Sequence, residues 1–119
     1  MKNHWMEEAQ HAKLDTLIVD ALAAGRSEQQ IDQAIDEFFE IGAFLDEGLG
    51  TQAGFNIDAL EKLIGRKVED RDALHAQQHQ AARWTYIGSG MVHDRFKATL
   101  ESLSPRAAQR IAEAAPLFA

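Results

Sequence analysis

Residues 27–49 read SEQQIDQAIDEFFEIGAFLDEGL, and the spacing of their apolar residues decides the fold class. Ile31, Ile35, Phe38, Gly42, Leu45 and Leu49 recur at alternating steps of four and three. That spacing lines one face of an α-helix and makes a seam for packing on other helices. Ser27 followed by Gln30 forms a capping-box pattern, in which each side chain accepts the backbone N–H of the other residue at a helix start. Together they predict a helix over 28–47. The glycines at 48, 50 and 54 read as a loop that closes it.

Working outward in both directions, the chain stays helical. A helix over 4–24 ends at Gly25, the residue type suited to the left-handed position after a helix. Asp58 with Glu61 reads as the start of a third helix over 57–87, weakened at Gly65. Gly88-Ser89-Gly90 lacks the strand and helix that would frame a phosphate loop and reads as a turn. A shorter helix over 91–103 follows. Ser104-Pro105 pairs an N-cap residue with proline at the first helical position, opening a last helix over 105–115. Valine occurs only at 19, 68 and 92, and no stretch alternates polar and apolar residues long enough for a strand. The expectation is one all-α domain over 1–119, a helical bundle.

Composition narrows what such a bundle does. The 119 residues carry 12 Lys and Arg against 19 Asp and Glu, a net charge of −7. Duplex nucleic acid, which needs a basic surface, is a poor partner for that balance. Cysteine is absent, which removes disulfides, thiolate metal sites and cysteine nucleophiles. No apolar run approaches the roughly 20 residues that span a bilayer, and residues 1–8 carry no signal-peptide core. A soluble, cytoplasmic chain without a membrane partner is expected. Charge is unevenly divided: residues 1–64 hold 4 basic and 13 acidic residues, and residues 65–119 hold 8 and 6. Such halves pair within a fold or between subunits, or form an acidic solvated face. A chain this short often buries its helix faces against a second copy, so a homo-oligomer is expected.

The ionisable residues do not sit where a solvated helix puts them. In the first helix Leu14, Ile18 and Leu22 form the apolar stripe, and His11, Glu7 and His4 extend that same stripe towards the N-terminus, with Glu8 at its edge. In the third stretch the stripe of Ile57, Leu60, Ile64 and Val68 runs on into Arg71 and His75, with Asp72 and His79 at one side. His75 and His79 are four apart, so their rings project from neighbouring turns, close enough to share a metal site. Glu37 lies on the inner edge of the second helix. Buried carboxylates and imidazoles need compensation, and two kinds are open. One is a dication that takes their lone pairs. The other is ion pairing with Arg71 and Arg83, which needs no metal. His93 reads as structural.

Glu8-Ala9-Gln10-His11 is Glu-x-x-His, and it resembles the helix motif of the ferritin-like di-iron carboxylate proteins, in which two such motifs join single glutamates from two other helices. Asp72-Ala73-Leu74-His75 resembles a second copy with aspartate in the glutamate position, and Glu37 resembles the single bridging glutamate. The longer string His4-x-x-x-Glu8-x-x-His11 is similar to a metal-binding helix of the p-aminobenzoate N-oxygenase group, where it implies an extra histidine ligand. The resemblance implies two iron ions per site, with manganese or zinc as substitutes, held by His4, Glu8, His11, Glu37, Asp72 and His75; His79 has no counterpart in the motif and joins this set by its spacing from His75. It implies oxygen-dependent oxidation or oxygenation of a small molecule; Tyr86, two turns beyond His79 on a similar face, is then the expected redox-active or proton-donating neighbour. A site of this kind needs one more glutamate from a helix before His4. It therefore also implies a chain that is part of a longer one, or a site completed by another subunit.

Two functions are thus open at this level: a non-haem di-iron oxidoreductase, and a metal-free helical module for oligomerisation or interaction. A melting point lowered by a chelator separates them.

Overall fold

A computed structural model describes residues 2–118, with side chains from residue 4 onward. It is an all-α helical bundle. Helix α1 runs Lys2–Ala23, α2 Glu28–Ile64, α3 Arg71–Arg83, α4 Ser89–Met91, α5 Asp94–Leu103 and α6 Pro105–Ala114. A π-helical turn, Trp84–Gly88, joins α3 to α4, and a 3-10 turn, Ala115–Phe118, ends the described chain.

Helix α2 starts as its sequence dictates. Ser27 is extended, its hydroxyl accepts the Gln30 N–H at 3.3 Å, and Gln30 Oε1 accepts the Ser27 N–H at 3.0 Å. Its length is a correction to the sequence reading. The helix does not stop at 47; it passes Gly48, Gly50 and Gly54 and ends only at Gly65, whose φ of +70° turns its N–H back onto Glu61 O. Over 37 residues it is about 55 Å long. Each mid-helix glycine costs up to about 1 kcal/mol relative to alanine, and close packing at one of them offsets part of that cost. The ring of His79 lies so near Gly50 that a Cβ there would stand 3.2 Å from His79 Cε1.

The predicted third helix over 57–87 is divided between two elements, a second correction. Asp58 and Glu61 lie inside α2, and the true start of α3 is Asp70, whose Oδ1 accepts the Ala73 N–H at 3.0 Å. From there α3 returns antiparallel along α2: Arg71 reaches Asp58 and Gly54, His75 reaches Gly50, and His79 reaches Asp46. Gly88-Ser89-Gly90 does not break the chain's helicity, because the π turn leads straight into α4. Gly88 is required there, since a Cβ would come within 2.7 Å of the Trp84 ring. The break falls at His93, which caps α5 through Nδ1 accepting the Arg95 N–H at 3.3 Å.

The core gathers Ile35 of α2 with Ile87, Met91, Leu100, Ala107, Ile111 and Ala115. Ile31, Phe38 and Leu49 pack around it, so the seam of residues 27–49 faces inward as its spacing predicts except at Leu45, which is exposed. Ser104 is fully buried; its hydroxyl accepts the Ala107 N–H and donates to Glu28 Oε2 at 2.9 Å, pinning the start of α6 to the start of α2. Arg110 holds α6 against α2 by pairing with both Asp32 and Asp36 while its guanidinium lies 5.5 Å over the Phe39 ring. Helix α1 touches the rest chiefly through α5. Its Leu14, Leu17, Ile18 and Leu22 are all exposed.

Candidate functional site

The two histidines of α3 sit at the α2–α3 contact, with ring centroids 6.0 Å apart. His75 Nε2 is 2.8 Å from Gly50 O, and His79 Nε2 is 3.0 Å from Asp46 O and 2.8 Å from Asp46 Oδ1. A carbonyl oxygen only accepts, so each Nε2 carries the proton and donates, which leaves Nδ1 as the lone-pair nitrogen. Asp46 also holds Arg83, whose Nε is 2.7 Å from the same Oδ1, a charge contact outside hydrogen-bond alignment. The guanidinium in turn covers the Phe118 ring at 5.3 Å. Of the two compensations open in the sequence, Arg83 displays ion pairing with Asp46, the same aspartate that His79 hydrogen-bonds.

A second polar knot closes the α2–α3 turn. Glu61 is 7% exposed and accepts from Lys67 Nζ at 2.7 Å, the Val68 N–H at 3.1 Å and Arg71 Nη1 at 3.1 Å. The Lys67 ammonium, then the Val68 N–H, holds its carboxyl below the usual carboxylate range. Arg71 Nη2 also donates to Asp58 Oδ1 at 2.7 Å, and that bond pushes the guanidinium above its ordinary value. Asp58 and Glu61 are thus Arg71 ligands, which a local Asp-x-x-Glu pattern does not reveal.

The remaining predicted ligands do not meet these groups. On α1, Glu8 lies between two rings, 3.7 Å from His4 Nδ1 and 3.6 Å from His11 Nδ1, with all three side chains more than half exposed. The part of the stripe that carries them points away from the bundle, because α1 turns its Thr16 and Ala23 side inward; at the far end of the stripe Leu22 borders a groove with Ile31 and Leu100. Glu37 is exposed and accepts from Gln33 Nε2 at 3.1 Å. Asp72 is exposed. Among the described residues no group of three or more His, Asp or Glu is placed to hold a metal ion. The convergence of His4, Glu8, His11, Glu37, Asp72, His75 and His79 in one interior is therefore not found within a single chain. Tyr86 stands 70% exposed at a groove of about 230 Å³ shared with Ile41 and Leu45.

A feature the sequence reading passes over lies on the far side of α2. Ile41, Phe44, Leu45, Phe55 and Leu63 are exposed, Phe44 by 81% and Leu63 by 84%. At 100° per residue they fall within an arc of about 100°, some 160° round from Asp46, Gly50, Ala53 and Ile57, which face α3. The steps 41, 44, 48, 52, 55, 59 and 62 continue the three-and-four spacing, which becomes visible once the glycines are read as helical. The isolated chain exposes 8869 Å², against about 6,400 Å² for a compact monomer of this mass. No helix among the described residues is long and apolar enough to cross a membrane. Comparison with known protein families, curated proteins and solved structures finds no match.

Proposed function

We propose that this chain is a self-associating helical module, whose bare apolar rows on α1 and α2 are covered by another copy. The observation that carries this reading is surface. Each chain leaves about 2,400 Å² more exposed than a monomer of its size, whereas a standard interface takes about 800 Å² from each partner. Leu14, Leu17, Ile18 and Leu22 on α1 and Phe44 and Phe55 on α2 are the large apolar side chains within that excess, and exposed apolar patches mark interaction surfaces. Native mass spectrometry tests it: multiples of 13.2 kDa are expected at micromolar concentration, and a lone monomer overturns the reading.

A second reading is favoured by one observation, the Glu8 carboxylate set between His4 and His11 on the same uncovered helix. In it, assembly brings these groups to Glu37, Asp72, His75 or His79 of a neighbouring copy, and the completed site holds iron for oxidation of a small molecule. Manganese or zinc would suit the same nitrogen and oxygen ligands. Metal analysis after iron-supplemented expression, combined with melting in a chelator, decides it. Stoichiometric metal and a lowered melting point support the iron reading; metal-free protein with an unchanged melting point refutes it.

A further inference from the structure

We infer that two copies pair through the outer faces of α2, antiparallel, about a two-fold axis passing between Leu49 and Gly50. The inference deepens the self-association reading and rests on it. The exposed row runs from Ile41 to Leu63, about 33 Å of helix; Tyr86 borders a groove at its start with Ile41 and Leu45, and Phe44, Phe55 and Leu63 are each more than 60% exposed. Its flanks are charged unequally. Glu37, Glu40 and Glu47 border its first half, and Lys62 stands at its far end. Parallel pairing would set each of these glutamates beside its own copy, which is repulsive. Antiparallel pairing about the stated axis removes that conflict. Positions whose numbers sum to 99 then face one another, so Glu37 meets Lys62 of the partner, Phe44 meets Phe55, and Gly48 meets Thr51.

The side-chain sizes fit the same register. Two bulky aromatic pairs would flank two small pairs at the axis, so the helices approach closely in the middle while the rings fill the space on either side. A Cβ on Gly48 meets nothing within 4 Å in the lone chain, so packing inside the protomer does not account for glycine there. A two-fold pairing of one patch with itself is closed, which yields a dimer and not a fibre. The partner is a second copy of this chain, because this one register forms two Glu37–Lys62 pairs and two Phe44–Phe55 pairs at once.

The absence of cysteine makes the test direct. Thr51→Cys places a single thiol close to the axis and is expected to form a covalent dimer on mild oxidation. Glu37→Cys alone is expected not to bridge, because the two copies of residue 37 then lie about 37 Å apart along the helices; mixed with Lys62→Cys it is expected to form the heterodimer. Phe44→Asp, at an already exposed position, should keep the helix content and raise the dimer dissociation constant about 30-fold or more. Bridging of Thr51→Cys and Glu37→Cys alike means parallel pairing and overturns the proposal. A dimer by mass that bridges through Leu17→Cys but not through Thr51→Cys overturns this interface while leaving self-association standing. A monomer at all concentrations overturns both.

Discussion

Gly50 and Gly54 occupy the same helix and the same residue type, yet they answer different demands. At Gly50 the His79 ring occupies the space a side chain would need, whereas a Cβ at Gly54 meets nothing within 4 Å. Gly54→Ala is therefore expected to stabilise the protein by about 0.5–1 kcal/mol through helix propensity alone. Gly50→Val should destabilise it by about 1–3 kcal/mol by forcing α3 off α2. Urea denaturation of the two variants checks the contrast. Ser104, buried with its hydroxyl serving both Ala107 N–H and Glu28, should cost about 1–2 kcal/mol as Ser104→Ala. Glu61 gives the fold a pH dependence with a definite sign. Its folded carboxyl titrates below the ordinary 4.5, so its stabilisation is present above that value and fades as pH falls through the lower, folded one. Glu61→Gln should be less stable than the parent near neutral pH, with the gap closing in acid; melting curves from pH 7 down to 3 read this directly.

At the scale of elements, local chemistry was legible where it is local. The Ser27–Gln30 box, the Gly25 stop and the Ser104-Pro105 start need only neighbours in sequence, and all three are found in the structure. The loop expected at 48–54 failed because glycine's helix cost is an intrinsic term, while the compensating contact at Gly50 comes from His79, 29 positions away. Asp58-x-x-Glu61 was misread for a related reason: the pattern is the same at a helix start and mid-helix, and only the arrival of Arg71 and Lys67 distinguishes them. The stripe on α1 was identified with the right members. Its direction was not, since a stripe shows which residues share a face and not whether the cover comes from the same chain. Leu17→Asp together with Ile18→Asp should accordingly leave far-ultraviolet circular dichroism nearly unchanged while lowering the assembled mass; loss of helix content instead would mean that α1 packs within its own chain.

The whole molecule is long and thin. Its axes measure 58 × 34 × 18 Å and its radius of gyration is 17.9 Å, against about 13.5 Å for a compact domain of 119 residues. A chain with a 37-residue helix and so few core residues cannot enclose its own apolar faces, which is the common cause of the bare α1 stripe and the bare α2 row. The candidate ligand set divides along the same line: His75 and His79 serve the α2–α3 contact inside one chain, and His4, Glu8 and His11 stand on the helix that is left uncovered. Among the described residues of one chain no site joins them. Sedimentation equilibrium over a hundredfold range of concentration is the most direct test of self-association. It should give twice the 13.2 kDa chain mass, or a higher multiple, falling towards the monomer only at the most dilute end. A mass of one chain at every concentration, with the helices intact, would contradict it.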